Sequence, residues 1–130
     1  MSKIIKLYTV FSHTLSAEQF TDAQERFGVS EVVVFSDKLL KIWSNIPADK
    51  ESIRPYLVPL WEHLKDVTKD DYVLVQGDFG ATYIVVEWVK SQGATAIYAT
   101  TERNTVEKMV DGKSIKTSIF SHVRYRRYGA

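Results

Sequence analysis

Residues 71 to 101 read DYVLVQGDFGATYIVVEWVKSQGATAIYATT: an apolar strand-like run, a glycine-containing turn, an apolar helical stretch stopped by Gly93, and a second strand-like run. A strand–helix–strand unit of this kind constrains the chain severely, because the helical crossover leaves the two strands parallel and needs a sheet to pack on. The N-terminal part repeats the pattern. IIKLYTVF (residues 4 to 11) reads as a strand. Ser16 stands three residues before Gln19, a capping-box spacing, and Ala17, Phe20, Ala23 and Phe27 recur at helical intervals until Gly28. VSEVVVFS (29 to 36) is a second strand, short and apolar enough to be buried on both faces.

Between the two units, Asp37 to Ser44 reads as a short helix burying Leu39, Leu40 and Trp43, ended by Ile46-Pro47. Ile53, Tyr56, Leu57, Leu60, Trp61 and Leu64 then repeat at threes and fours, the strongest helical signal in the chain. Proline is tolerated in a first turn, so the regular helix is expected from about Pro55 to Asp66 with a distortion near Pro59. Past the strand at 95 to 101, Val110-Asp111-Gly112-Lys113 is a strong hairpin signal between two strand-like runs. In the second run the odd positions Ile115, Thr117, Ile119, Val123 and Tyr125 are mostly core-like, and the even positions Lys116, His122, Arg124 and Arg126 put the cations on one face. The predicted fold is α/β, a Rossmann-like, mostly parallel sheet flanked by helices with a C-terminal antiparallel β-hairpin, in a single domain over residues 1 to 130. Helix 79 to 92 is apolar around more of its circumference than one sheet contact requires. It is either deeply buried in its own subunit or part of a homodimer interface.

With 130 residues, 45% of them hydrophobic, the chain has the core of one domain and no room for a second. The absence of cysteine excludes a disulfide scaffold, a thiolate metal site and a cysteine nucleophile. The first residues lack a signal-peptide pattern and no apolar run approaches the roughly 20 residues that span a bilayer, so a soluble cytoplasmic protein is expected. The net charge of +1 conceals an asymmetry: residues 1 to 112 carry −4 and the last 18 residues +5. That basic tail either attracts phosphates or protects a strand edge from aggregation.

Ligands of an open parallel sheet bind beyond the carboxyl ends of the strands, where strand order reverses. That rule gathers Ser12-His13-Thr14, Gln76-Gly77-Asp78 and Thr100-Thr101-Glu102-Arg103. His13 follows its strand immediately between two hydroxyls and is the acid–base candidate, since an imidazole exchanges protons near neutral pH. His122 lies among cations, and His63, beside Glu62 on an amphipathic helix, is expected to face solvent. No metal-ligand spacing is convincing and no cofactor is expected, so any nuclease chemistry here is expected to be metal-independent. Asp78-Phe79-Gly80 spells the kinase DFG triplet, but the chain is too short for a kinase's other parts. The turn has Gly77 and Gly80 without a third glycine in register, so it reads first as a turn capped by Asp78 and second as a phosphate cradle.

The segments FSHTLSAEQFTDA, YVLVQGDFGATYIVVEWV, YATTER and FSHVRYRRYG resemble the CRISPR-associated Csx-twenty family of type III systems, over nearly the whole chain. The resemblance implies a CARF-like fold, usually dimeric, and a ring nuclease that binds a cyclic oligoadenylate, above all the tetra-adenylate, and cleaves it to switch off an antiviral response. It implies attack of a ribose 2′-hydroxyl on its own 3′-phosphodiester, leaving 2′,3′-cyclic phosphate ends. On that reading His13, Arg103 and His122 are the catalytic candidates. Ser12, Thr14, Gly80, Ala81 and Thr82 contact phosphate and ribose, and Gln76 and Asp78 hold a 2′-hydroxyl or an adenine edge. Gly77 belongs to the same turn, Phe79 offers a stacking face, Thr100 and Thr101 complete the wall, and Arg124 and Arg126 add positive charge. The partners implied are the cyclic ligand and a second copy of the chain, with no membrane and no long nucleic acid. A binder that sequesters the messenger without cutting it uses the same pocket and is the alternative.

Overall fold

The structure is a computed structural model, and it describes residues 3–130. Nine elements follow in order: β1 (Lys6–Val10), α1 (Ala17–Phe27), β2 (Glu31–Val33), α2 (Asp37–Ser44), α3 (Leu60–Leu64), β3 (Tyr72–Val75), α4 (Phe79–Ser91), β4 (Thr95–Val110) and β5 (Lys113–Arg127). They form one mixed α/β, Rossmann-like fold around a five-stranded sheet in the order β2-β1-β3-β4-β5, parallel except for β5. From β1 the chain crosses to one side, and from β3 to the other, so the strand order reverses between β1 and β3.

The two crossovers put helices on opposite faces. Alternate strand residues divide accordingly: Leu7, Leu74, Ile97 and Tyr125 pack under α1 with Ala23 and Val29. Tyr8, Val10, Val73, Val75 and Ala96 pack against α2, α3 and α4 through Trp43, Leu60, Leu64, Val85 and Val89. Local chemistry ends these elements where the sequence indicates. Ser16 and Gln19 form a reciprocal capping box, and Gly28 closes α1 in the left-handed region at φ 72°. The buried Asp71 carboxylate accepts from the Lys6 amide at 3.0 Å and from the Thr68 amide and hydroxyl at 2.8 and 3.0 Å, which joins the starts of β1 and β3.

Several expectations are corrected. The regular helix from Pro55 to Asp66 shrinks to α3. Residues 54–59 make successive turns instead, because the two prolines remove amide donors within one helical turn of each other. The second strand is only Glu31–Val33, a half-exposed sheet edge rather than a doubly buried strand. The fourth strand and the first hairpin strand are one continuous 16-residue β4. Asp111 and Gly112 turn it with φ of 51° and 75°, both positive as a type I′ turn requires.

A bulge between Thr100 and Thr101 breaks the alternation along β5. Arg124 and Arg126 pair with Thr100 and Tyr98, but His122 pairs with Thr101 on the opposite face, so the cations do not share one face. Of the odd positions expected to be core-like, Tyr125 is buried, whereas Ile115, Ile119 and Val123 are 46%, 49% and 52% exposed. They lie on a hairpin arm that outruns the rest of the sheet, since β3 accompanies β4 only as far as Ile97. No described helix is long and apolar enough to cross a membrane.

Candidate functional site

Three cavities open where the carboxyl ends of the parallel strands give way to loops. β1 runs into the buried Phe11, and Ser12, His13 and Thr14 follow it, all exposed. The His13 imidazole stands edge-on to the Phe11 ring at 6.2 Å. These three residues line a cavity of about 260 Å³ with Thr9, Phe35 and Asp37. A second cavity of about 520 Å³ runs between α4 and the β4–β5 pair, lined by Gly77, Phe79, Thr82, Tyr83, Tyr98 and Tyr128. A third, of about 490 Å³, holds Asp78 and Gly80 with Ile53 and Arg54, so the pocket walls expected to be shared are divided among separate hollows around the β1/β3 switch point.

Gln76 and Gly77 line the larger cavity, and both are committed to the fold. The Gln76 amide donates to the Val10 carbonyl at 3.1 Å, its side-chain Oε1 accepts from the Ala99 amide at 2.9 Å, and its carbonyl accepts from the Trp43 indole at 2.8 Å. Gln76 thus ties together β1, β4 and α2. A Cβ on Gly77 would lie 2.5 Å from the Trp43 Nε1, so packing alone demands glycine there.

Asp78 is the N-cap of α4. Its Oδ2 accepts from the Ala81 amide at 3.0 Å and its carbonyl accepts from the Thr82 amide at 2.8 Å. Ala81 itself is fully buried. Among the described residues the amides of Phe79 and Gly80 have no partner, leaving two donors at the positive end of a 13-residue helix. At Gly80 an added Cβ would meet nothing closer than 3.5 Å. The protein does not itself require glycine here, in contrast to Gly77. The Thr82 hydroxyl, on the wall of the larger cavity, is buried and lacks a hydrogen-bond partner.

Of the aromatic lining, sequence reading singled out Phe79 by number but not Tyr83, Tyr98 or Tyr128. Phe79 is 95% exposed and Tyr83 64%. Tyr98 and Tyr128 face each other with centroids 4.8 Å apart, and the Tyr128 hydroxyl donates to the Val75 carbonyl. Arg126 donates to the Tyr98 hydroxyl at 3.0 Å with its guanidinium 5.6 Å from the ring centre, which fixes one cation beside this cavity. The tyrosines sit in segments already singled out, TAIYATT and RYRRYG, but only the strand pairing shows that they converge. Thr100 donates its hydroxyl to the Arg124 carbonyl at 3.0 Å, and the Arg124 Nε donates to the Tyr125 carbonyl at 3.1 Å. Thr101 lies just past the bulge and is exposed.

The three histidines are rearranged. His122 is not an exposed member of a cationic face: its side chain is 6% exposed and its Nε2 sits 2.8 Å from Asp22 on α1. Burial works against the Asp22 charge, yet hydrogen bonds from His122 and Arg26 hold its carboxyl below the usual range. His63, expected to face solvent, is tucked against Phe35 at 4.9 Å and Tyr8 at 5.8 Å, with Nε2 donating to the Thr9 carbonyl at 3.1 Å. Burial lowers its pKa despite that hydrogen bond. Its spacing of three from Leu60 was the available signal for the buried side. Arg103 is out on the hairpin arm, donating to Ser118 at 3.0 Å and lying 5.9 Å from the Phe120 ring centre. His13, Arg103 and His122 do not meet within one chain. Among the described residues no group of three His, Cys, Asp or Glu side chains could hold a metal ion.

The profile of the Uncharacterized protein MJ1673 family matches residues 5–126. A relative, "Uncharacterized protein MJ1673" of Methanocaldococcus jannaschii, is 41% identical over 124 residues, covering 95% of this chain and 96% of its own length. No solved structure matches significantly.

Proposed function

Because this chain belongs to the uncharacterized MJ1673 family, whose name carries no activity, we propose a function from its own geometry and motifs. It is a cytoplasmic ring nuclease of the Csx-twenty kind, binding a cyclic oligoadenylate, the tetra-adenylate above all, and opening it without a metal to end a type III CRISPR signal. The motif resemblance supplies the activity. The observation that supports the reading structurally is that an exposed imidazole at His13 and the two free amides of Phe79 and Gly80 follow the carboxyl ends of β1 and β3, the strands between which the order reverses.

Each part has a task in the proposed reaction. The free amides and the bare Gly80 Cα accept a phosphodiester against the helix terminus, while Ser12, Thr14 and the unpartnered Thr82 hydroxyl offer further hydrogen bonds to phosphate or ribose. Phe79 and Tyr83 give exposed faces on which adenine stacks, and Arg126 adds charge beside them. His13 removes the proton from the 2′-oxygen as that oxygen bonds to phosphorus. The P–O5′ bond breaks, the departing 5′-oxygen takes up a proton, and a 2′,3′-cyclic phosphate remains. A two-fold dimer presents two equivalent strand ends to a symmetric ring.

The test is single-turnover cleavage of cyclic tetra-adenylate in excess EDTA, with binding measured alongside. Wild type retains activity, and His13→Ala slows it by roughly 10²- to 10⁴-fold while still binding. Loss of wild-type cleavage in EDTA overturns the metal-independent reading, and undiminished cleavage by folded His13→Ala removes that residue from catalysis. The separation of His13, Arg103 and His122 favours one second reading, a domain that holds the ring without cutting it. Tight binding with the ring recovered intact by chromatography would establish that instead.

A further inference from the structure

We propose that the hairpin arm is an arm-to-arm dimerisation device: β4 pairs antiparallel with the β4 of a second copy, about a two-fold axis through Thr105. The proposal concerns where two copies meet and stands apart from ring cleavage.

Beyond Ile97, β4 loses its β3 neighbour and continues to Val110 with that edge open, while β5 has no neighbour on its far side. A two-stranded ribbon is marginal in water by itself, and long open edges are usually guarded by proline, a bulge or repelling charge. Past the bulge at Thr100/Thr101 this edge has none of them. It carries charges of alternating sign, Glu102, Arg103, Glu107 and Lys108. Among the described residues, none of these four is in an ion pair within its own chain.

Their order is self-complementary. An antiparallel pairing centred on Thr105 sets Arg103 opposite the partner's Glu107 and Glu102 opposite the partner's Lys108, and the axis repeats both pairs. Sliding by two residues, the smallest shift that keeps the axis, leaves all four charges opposite uncharged residues. Sliding by one sets Glu102 against the partner's Glu107 or Arg103 against the partner's Lys108, and it breaks the axis. The Ala99 amide is already taken by the Gln76 side chain, and the same centre bisects the edge left beyond it, from Thr100 to Val110.

The result is a four-stranded sheet, β5-β4-β4-β5, that meets the requirement for more than two strands. Val106, Val110, Ile115 and Ile119, 36% to 49% exposed, share one face of the ribbon, and the pairing sets each Val106 diagonal to its copy across the axis. In this register the Asp111-Gly112 tip of each arm comes level with Ala99 and Tyr98 of its partner, where β3 ends. Each tip thus arrives beside Gln76 of the other chain, whose side chain holds the Ala99 amide.

Sedimentation equilibrium and thiol cross-linking test the arrangement. Wild type is a dimer. Arg103→Glu and Glu107→Arg each set like charges face to face twice and weaken it about tenfold or more, whereas the double variant restores it to near wild type. The chain has no cysteine, so Thr105→Cys places one thiol on the axis, about 4.5 to 5.5 Å from its copy by Cα, and mild oxidation yields a cross-linked dimer. Ser118→Cys, paired with Thr105 on β5, stays about 14 Å from its copy and does not cross-link. A wild type that remains monomeric, a dimer indifferent to both single reversals, failure of the double variant to recover, or equal cross-linking at both positions overturns the proposal. Circular dichroism of every variant separates these outcomes from unfolding.

Discussion

Trp43 donates its indole N–H to the Gln76 carbonyl at 2.8 Å, and its ring lies so close to Gly77 that a Cβ there would approach Nε1 to 2.5 Å. The glycine at the strand-to-helix turn is thus set by a tryptophan from a different crossover. Gly77→Ala is expected to destabilise the fold by about 1–3 kcal/mol, the usual cost of overpacking. Trp43→Phe leaves the carbonyl unpaired and costs a comparable amount, about 1–3 kcal/mol. Because the variants relieve opposite sides of one contact, Trp43→Phe combined with Gly77→Ala should cost less than the sum. Urea denaturation of the three proteins measures it.

Asp78 caps α4 through the Ala81 amide. Asp78→Ala should lose about 1 kcal/mol of stability, and Asp78→Ser, which retains a capping oxygen, should lose less. Cyclic tetra-adenylate titration of the same variants measures the second effect. If Asp78 only caps, affinity is unchanged or rises as a charge near the free amides is removed, whereas a role in holding ribose predicts weaker binding.

Phe79 is 95% exposed at the mouth of the larger cavity, so it contributes little to the core. Phe79→Ala should shift stability by no more than about 0.5 kcal/mol. Stacking on a base is worth roughly 1–3 kcal/mol, and the proposed function predicts a loss of ligand affinity of that size. Thermal melting and fluorescence titration, run together, give the two numbers. Unaltered affinity would argue against an adenine at this position.

His63 is held neutral by burial, with its pKa below the ordinary 6.5. Between its folded and unfolded pKa values the unfolded chain binds more protons, so the contribution is present above about pH 6.5 and lost as pH falls towards the folded value. Stability of the wild type should decline through that window, and His63→Gln, which can still donate to the Thr9 carbonyl, should flatten the decline. Asp22 acts lower: its depressed carboxyl pKa adds stability above the ordinary carboxylate value that is lost on further acidification. Urea midpoints at a series of pH values separate the two.

The sequence by itself determined the elements whose signals are local: the β-α-β units, the Ser16 capping box, the Gly28 stop, the Asp78 cap and the Asp111-Gly112 turn. Each depends on neighbours within a few residues, so spacing suffices. The tertiary structure decided what depends on distant partners. It turned the proline-bearing periodicity after Ile53 into turns and a five-residue α3. It moved His63 inward, locked His122 to Asp22 a hundred residues away, and divided one expected pocket among three cavities. One bulge at Thr100/Thr101 separates His122 from the face of Arg124 and Arg126, because a single extra residue exchanges the two faces of every position beyond it, while Ile115 and Ile119 are exposed because the arm outruns β3.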